Sequence, residues 1–352
     1  MIDQVGKLQE YRDQFPGRRG HLNTATIGLP SEATLRAMEL ALETWAGGRT
    51  STHAWDPSVD KARALYAEIV NVPVSNVAVG SHISVFAGLV AGSLRRGQTV
   101  LLAEGDFTSL MWPFLMRERD GVTVKLVQLE EIIDAIDQRV DWVAVSSVQS
   151  STGEVLDLAA LASVANDNDA RVFLDSTQST GWLPTDASKF AAAACSAYKW
   201  LLAPRGTAFL SLQADLWDEI TPQTPGWYSG QDVHSSFYGS PLRLAADARR
   251  YDLSPAWMLW AGTVPALEPM VELGVDAIHD HDVCLANTFR ESVGLPPSNS
   301  AIVSLEGSDE IANRVTEAGL HVAERAGNIR LSFHLYNDEE DVARAAACWN
   351  PA

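Results

Sequence analysis

From Val77 onward, short β-branched or apolar runs alternate with helical stretches, and this alternation constrains the fold more than any other feature of the chain. The runs are Val77 to Val79, Thr99 to Leu102, Val122 to Leu126, Val143 to Val148 and Val172 to Leu174. Apolar strands separated by helices assemble into an α/β sheet covered on both faces. Two further runs, Ala191 to Cys195 and Thr207 to Leu212, flank a short polar segment, which predicts a hairpin-like pair at the end of the sheet. Upstream, Pro30-Ser31 opens a helix with Leu35, Met38, Leu42 and Trp45 on one face, closed by Gly47-Gly48. A second helix starts at Asp56-Pro57, a capping residue and a proline at the first helical position, and buries Ala62, Leu65, Tyr66 and Ile69. After Trp257 the pattern is helical to about Leu273, with weak strands at Ala301 to Leu305 and Ile329 to Phe333. The expected organisation is a large domain over 21–256 and a smaller C-terminal α/β domain over 257–352, joined by 1–20. No repeat, low-complexity tract or Gly/Ser linker separates them, so they pack together.

Charge and cysteine usage exclude several function classes. The chain has 26 basic and 45 acidic residues, a formal net charge of −19, which repels nucleic-acid backbones and anionic membrane surfaces. Its longest apolar stretch, Val85 to Leu94, is broken by glycines and falls well short of the roughly 20 residues that span a bilayer. Neither a nucleic-acid nor a membrane partner is expected. The start, Met1-Ile2-Asp3-Gln4-Val5, has no basic cluster or apolar core of a leader, so a cytoplasmic location is expected. Cys195, Cys284 and Cys348 are odd in number and widely spaced, which suits reduced thiols and predicts neither a disulfide framework nor a metal site.

Three segments carry candidate chemistry. In Cys195-Ser196-Ala197-Tyr198-Lys199-Trp200-Leu201-Leu202, one of only five lysines stands between apolar runs. A lysine in a turn is ordinarily a surface residue, but one held among apolar neighbours loses proton affinity and becomes a competent amine nucleophile. In Val172-Phe173-Leu174-Asp175-Ser176-Thr177-Gln178, an apolar strand ends in a carboxylate, where α/β sheets place their ligands. In Gly80-Ser81-His82-Ile83-Ser84, a strand gives way through small residues to a helix whose N–H groups can face an anion.

Taken in order, Gly80-Ser81-His82, Phe107, Gln149-Ser150-Ser151-Thr152-Gly153, Asp175-Ser176-Thr177-Gln178 and Ser196-Ala197-Tyr198-Lys199 resemble the class V aminotransferase family of fold type I. That family includes kynureninases, cysteine desulfurases, isopenicillin N epimerase-like proteins and carbon–sulfur lyases. The resemblance runs from Leu22-Asn23-Thr24-Ala25 to Arg330-Leu331-Ser332-Phe333. It implies a large domain built on a mostly parallel mixed sheet and a homodimer with shared active sites. It implies pyridoxal 5′-phosphate on Lys199, with Asp175 on the ring nitrogen, Phe107 stacked on the ring, and Gln178 with Ser150 near the ring hydroxyl. Ser81, His82, Ile83, Ser196 and Tyr198 would hold the phosphate, joined from the other subunit by Trp227 and Ser254. Arg330 and Asn23 would receive the substrate α-carboxylate. His53 and Trp55 are read as a surface histidine beside a core tryptophan.

The pattern also departs from many relatives. Phenylalanine stands at 107 where desulfurases and aminotransferases often have a histidine, which leaves acid–base work to Lys199. The stretch His321 to Asn328 contains no cysteine to carry a persulfide. Tyr198 and Phe107 lean towards the kynureninase and epimerase-like branch. The expected activity is chemistry at the α-carbon of a small amino acid: transamination first, then Cβ–S cleavage or a kynureninase-like or epimerase-like reaction. The rival of another class is a non-catalytic pyridoxal-phosphate-binding sensor. Against it, no DNA-binding extension precedes the fold and Lys199, Asp175 and Arg330 are all chemically useful.

Overall fold

The computed structural model describes residues 2–51 and 53–350; Met1, Thr52 and the last two residues of the expected small domain, Pro351 and Ala352, lie outside the described residues. The N-terminal part is helical: α1 (Ile2–Arg12), α2 (Glu32–Ala46) and α3 (Asp56–Ile69). The central part alternates β1 (Val77–Gly80), α4 (Ile83–Gly92), β2 (Thr99–Ala103), α5 (Thr108–Leu115), β3 (Thr123–Val127), β4 (Trp142–Ser146), α6 (Leu158–Asp167), β5 (Arg171–Asp175), β6 (Ala192–Ser196) and β7 (Ala208–Leu212). The C-terminal part holds α7 (Trp257–Leu273), α8 (Val275–Ser292), β8 (Ile302–Glu306), α9 (Asp309–Glu317), β9 (Ala323–Arg325), β10 (Asn328–Ser332) and α10 (Glu339–Trp349). None of these helices is long and apolar enough to cross a membrane.

β1 to β7 form one seven-stranded sheet in the order β1-β7-β6-β5-β4-β2-β3. Neighbours from β3 through β6 run parallel, whereas β7 is antiparallel to both β6 and β1. The sheet is therefore mostly parallel, and the expected β6–β7 pair is formed, but β7 is not its edge. β1 closes that edge, a long-range pairing of Val77 with Ser211 that local spacing does not encode. The buried strands read as uninterrupted apolar runs because both faces are covered. One core lies under α3, α6 and α7 and the other under α4 and α5. β8, β10 and β9 form a second, antiparallel sheet whose own core includes Phe289, Leu331, Phe333 and Ala345. β9 had no clear sequence signal; it is three residues long and two of them are exposed. α7 packs against α2 and α3, and its Trp260, Leu267 and Met270 belong to the first core.

Two helix details differ from expectation. The apolar stripe of α2 does not go to the core: Trp45 is 62% exposed, and Leu35 and Leu42 are exposed with it, while Thr34 and Ala41 are buried. In α3, Asp56 is the first helical residue rather than the cap; its carboxylate accepts hydrogen bonds from the Tyr228 hydroxyl at 3.2 Å and is 2.9 Å from His234 Nε2. Ala62, Leu65 and Tyr66 are buried, and Ile69 is half-buried.

Candidate active site

β1, β2, β4, β5 and β6 all end on one edge of the sheet, because β1 and β6 are each antiparallel to β7 and the others are parallel to β6. A cavity of about 390 Å³ opens at that edge, where open α/β sheets collect their ligands. Of the residues singled out in the sequence, Ser81, His82, Ile83, Phe107, Ser150, Asp175, Gln178, Ser196, Tyr198 and Lys199 line it. Ser109, Ser146, Thr177, Arg205 and Gly206 line it too and were not foreseen. Asn23, Trp227, Ser254 and Arg330 are not among its lining residues.

Lys199 follows β6 in a tight turn: Leu202 N–H donates to the Lys199 carbonyl at 3.2 Å, and Leu202 adopts a left-handed φ of 55°. The backbone of Gly28 closes behind it, donating to the Tyr198 carbonyl at 2.9 Å. A Cβ at Gly28 would stand 2.2 Å from the Lys199 carbonyl oxygen, so this position admits only glycine. The Lys199 amine lies 5.5 Å from the centre of the Phe107 ring and 5.9 Å from that of Tyr198. Burial lowers its pKa to about 8 against the pull of Asp175, and the positive charges of Arg330 and Arg325 push the same way as burial. Burial likewise raises Asp175 to about 6, opposed by hydrogen bonds from Thr177, whose N–H donates to Oδ1 at 2.9 Å.

The wall beyond Asp175 is held by a network of hydrogen-bonded polar groups. Asp106, missed in the sequence although it directly precedes Phe107, is buried and accepts from Ser146 N–H at 2.8 Å and the Ser146 hydroxyl at 2.6 Å. This fixes the segment that presents Phe107, a large apolar ring 47% exposed at the cavity. Gln178 Nε2 donates to the Ala25 carbonyl at 3.0 Å and to Ser150 Oγ at 3.1 Å, while its Oε1 accepts from Trp200 Nε1 at 2.9 Å. Arg330, on β10, is 1% exposed and stands behind Ser150. Its guanidinium donates to the Ser150 carbonyl, to Ser150 Oγ at 3.2 Å and to Thr26 Oγ1 at 2.8 Å. Asn23 bridges to Ser332 beside it, and Asn23 Oδ1 and Arg330 Nε are buried without a partner.

At the other end of the cavity α4 begins without a side-chain cap at His82. Ile83 N–H donates to Ser196 Oγ at 3.0 Å, and Ser81 Oγ is 2.7 Å from His82 Nδ1. A helix N-terminus, hydroxyls and the half-buried Tyr198 thus surround a space suited to an anion. Trp227 packs edge-on against Tyr228 at 5.2 Å and near Phe237, and Ser254 is exposed and does not cap α7, whose cap position is Ala256. His53 is exposed with its ring 3.6 Å from that of His234, and buried Trp55 lines a separate apolar cavity with Trp45 and Trp257. All three cysteines are free and none lines the cavity by Lys199.

An anion cup, a nucleophilic amine with a lowered pKa, an apolar ring face and a buried carboxylate whose burial favours a cationic partner together fit pyridoxal phosphate. Comparison with known proteins agrees. The family model Aminotransferase class-V matches residues 23–304. The chain is 25% identical to a probable cysteine desulfurase of Methanothermobacter thermautotrophicus and 25% identical to the uncharacterized aminotransferase YcbU of Bacillus subtilis, covering 96% of both chains in each case. Among solved structures it is similar to C-DES, with a TM-score of 0.85 at 21% identity over 96% of this chain and 99% of that one. C-DES is described as a cystine C–S lyase in complex with its product cysteine persulfide, and a mutant of it as carrying glycine covalently linked to its PLP cofactor.

Proposed function

We propose that this chain, which belongs to the aminotransferase class-V family, binds pyridoxal 5′-phosphate through Lys199 and acts at the α-carbon of a small amino acid, with transamination as its reaction. One observation carries the reading: a buried lysine with its pKa lowered to about 8 shares a cavity with the strand-end carboxylate Asp175 and the start of α4. When bound, the cofactor withdraws electrons from the substrate α-carbon and so acidifies its hydrogen. Asp175, desolvated and anchored by Thr177, would keep the ring nitrogen protonated. Lys199, once released as a free amine, would take the α-proton and return it, a role suited to a base poised near neutral pH. Phe107 has no exchangeable proton, so its ring would orient without competing for that transfer. Arg330 would receive the α-carboxylate, since its Nε–H donor is buried and unpartnered, and Asn23 would assist through its side-chain NH2, the only part of that amide able to donate to a carboxylate. Gln178, whose amide hydrogens are already engaged by Ala25 and Ser150, would reach the ring hydroxyl only by exchanging the Ser150 bond.

A second reading, Cβ–S cleavage, is supported by the likeness to a protein described as a cystine C–S lyase. A persulfide-carrying desulfurase is disfavoured because no cysteine lines the cavity. Mixing the loaded enzyme with single amino acids separates these outcomes. Stoichiometric keto acid without free ammonia supports transamination; pyruvate with ammonia and a sulfur product supports cleavage; inversion at the α-carbon supports epimerisation.

The active form is a homodimer in which Trp227 and Ser254 reach the neighbour's phosphate. Both lie outside the cavity of their own chain, and the exposed apolar face of α2 offers surface for a second copy. Sedimentation equilibrium should give twice the chain mass; a catalytically active monomer retaining its cofactor would contradict the shared site.

A further inference from the structure

The turn between β6 and β7 carries a cation that neither the sequence motifs nor the proposed chemistry uses. Arg205 lines the same cavity as Ser81, Ile83, Ser196 and Tyr198. Its guanidinium carbon stands 5.1 Å from the centre of the Tyr198 ring. The turn that presents it is fixed. Gly206 has a φ of 112°, which L side chains rarely adopt, and a Cβ there would stand 2.7 Å from Leu259. The Pro204 carbonyl accepts from the Thr207 hydroxyl at 3.0 Å, and Ala197 N–H donates to the Thr207 carbonyl at 3.0 Å. Most arginines held in place in this acidic protein face a carboxylate, as Arg63, Arg171 and Arg18 do. Among the described residues, Arg205 forms no ion pair and no side-chain hydrogen bond.

Charge balance says what such a cation is for. A phosphate monoester carries about −1.5 to −2 charges near neutral pH, whereas a helix N-terminus supplies only about +0.5. Hydroxyls and peptide N–H groups add dipoles without net charge. Lys199 is committed elsewhere, and Arg330 is bonded to Ser150 rather than to the start of α4. Ser196 Oγ, 3.0 Å from Ile83 N, ties the β6–β7 turn to the start of α4, so the cation and the helix N-terminus belong to one end of the cavity.

We propose that Arg205 is a phosphate-binding residue, supplying the fixed positive charge that pairs with the phosphate monoester of the bound cofactor. The proposal rests on the pyridoxal phosphate reading but is tested separately from it. The full-length chain, stripped of cofactor, is titrated with pyridoxal 5′-phosphate and with pyridoxal, which lacks the phosphate, and binding is followed by visible absorbance for wild type, R205K and R205Q. Loss of a charge-assisted hydrogen bond corresponds to about tenfold or more in affinity. R205Q should therefore lower the ratio of pyridoxal phosphate to pyridoxal affinity about tenfold or more, with pyridoxal binding unchanged and R205K intermediate. Inorganic phosphate should protect wild type from loading by pyridoxal phosphate more strongly than it protects R205Q. An unchanged ratio, or an equal loss for both ligands, overturns the proposal, as does an unchanged ratio with a raised KM for the amino acid, which would make Arg205 a substrate residue. Failure of the cofactor reading itself would look different: borohydride would fix neither ligand to Lys199 in any variant.

Discussion

His334 stands between the two parts of the molecule: its Nδ1 is 2.7 Å from Asp282 Oδ2 on α8, and its Nε2 is 2.9 Å from the main-chain carbonyl of Trp200, next to Lys199. Both side chains are fully buried, and the ring meets the Trp200 indole edge-on at 5.1 Å. His334→Ala would leave the Asp282 carboxyl without its partner and free the lysine turn. Breaking one member of a buried pair of this kind costs about 3–5 kcal/mol. A loss of unfolding free energy in urea titration well under that cost, with unaltered cofactor loading, would show that the contact does not support the turn.

Arg63 and Asp252 form a second buried pair, 2.7 Å apart with a further contact at 3.1 Å, and Asp252 also accepts from Val79 N–H at 2.8 Å. It ties the segment bearing Ser254 to β1. Asp252→Ala should destabilise by about 3–5 kcal/mol, because it strands a buried guanidinium, whereas the double change Arg63→Met with Asp252→Leu should recover most of that loss. Denaturant unfolding of the wild type and both variants checks this; a double variant no better than the single one would contradict it.

How far the sequence reveals this molecule follows from where each signal resides. The strands of the large sheet and the helix Trp257–Leu273 were legible because they are nearly continuous apolar runs, whereas β9, with two of its three residues exposed, and the more polar helix Val275–Ser292 were not. The lysine, the strand-end carboxylate and the glycine-to-helix junction were legible because each is a local motif. Asp106, Arg205 and the Arg63–Asp252 pair were not, since their partners lie far off in the chain or are ligands. Gly28 is a further case: nothing near it in sequence says that the Lys199 carbonyl will lie against its Cα. The α2 stripe shows that spacing alone does not tell where a face goes: Leu35, Leu42 and Trp45 share one helical face and stay exposed.

The lowered pKa of Lys199 predicts the pH course of cofactor capture. Only the neutral amine has a lone pair to offer, so the loading rate should rise with pH and level off above about 8 rather than near the ordinary lysine value of 10.5. Stability carries the same sign: between these values the unfolded lysine binds more protons than the folded one, so this group's contribution to the stability of the cofactor-free chain rises with pH. Lys199→Met removes a buried amine and should abolish turnover without lowering the melting temperature at pH 7. A loading inflection near 10.5, or a strongly destabilised methionine variant, would contradict this assignment.

Arg330→Lys should impair activity although it keeps the charge, because lysine loses the paired N–H groups that fix a carboxylate plane. The loss should appear for amino acids and be small for the matching decarboxylated amines, with cofactor affinity near wild type. Equal losses for both sets would make Arg330 a structural residue holding Ser150 and Thr26.

The central claim is that Lys199 carries the cofactor. Borohydride reduction of the yellow protein, followed by digestion and mass spectrometry, should find the pyridoxyl group on the peptide containing Tyr198-Lys199-Trp200 and nowhere else. Modification at Lys7, Lys61, Lys125 or Lys189 with Lys199 untouched would contradict the account.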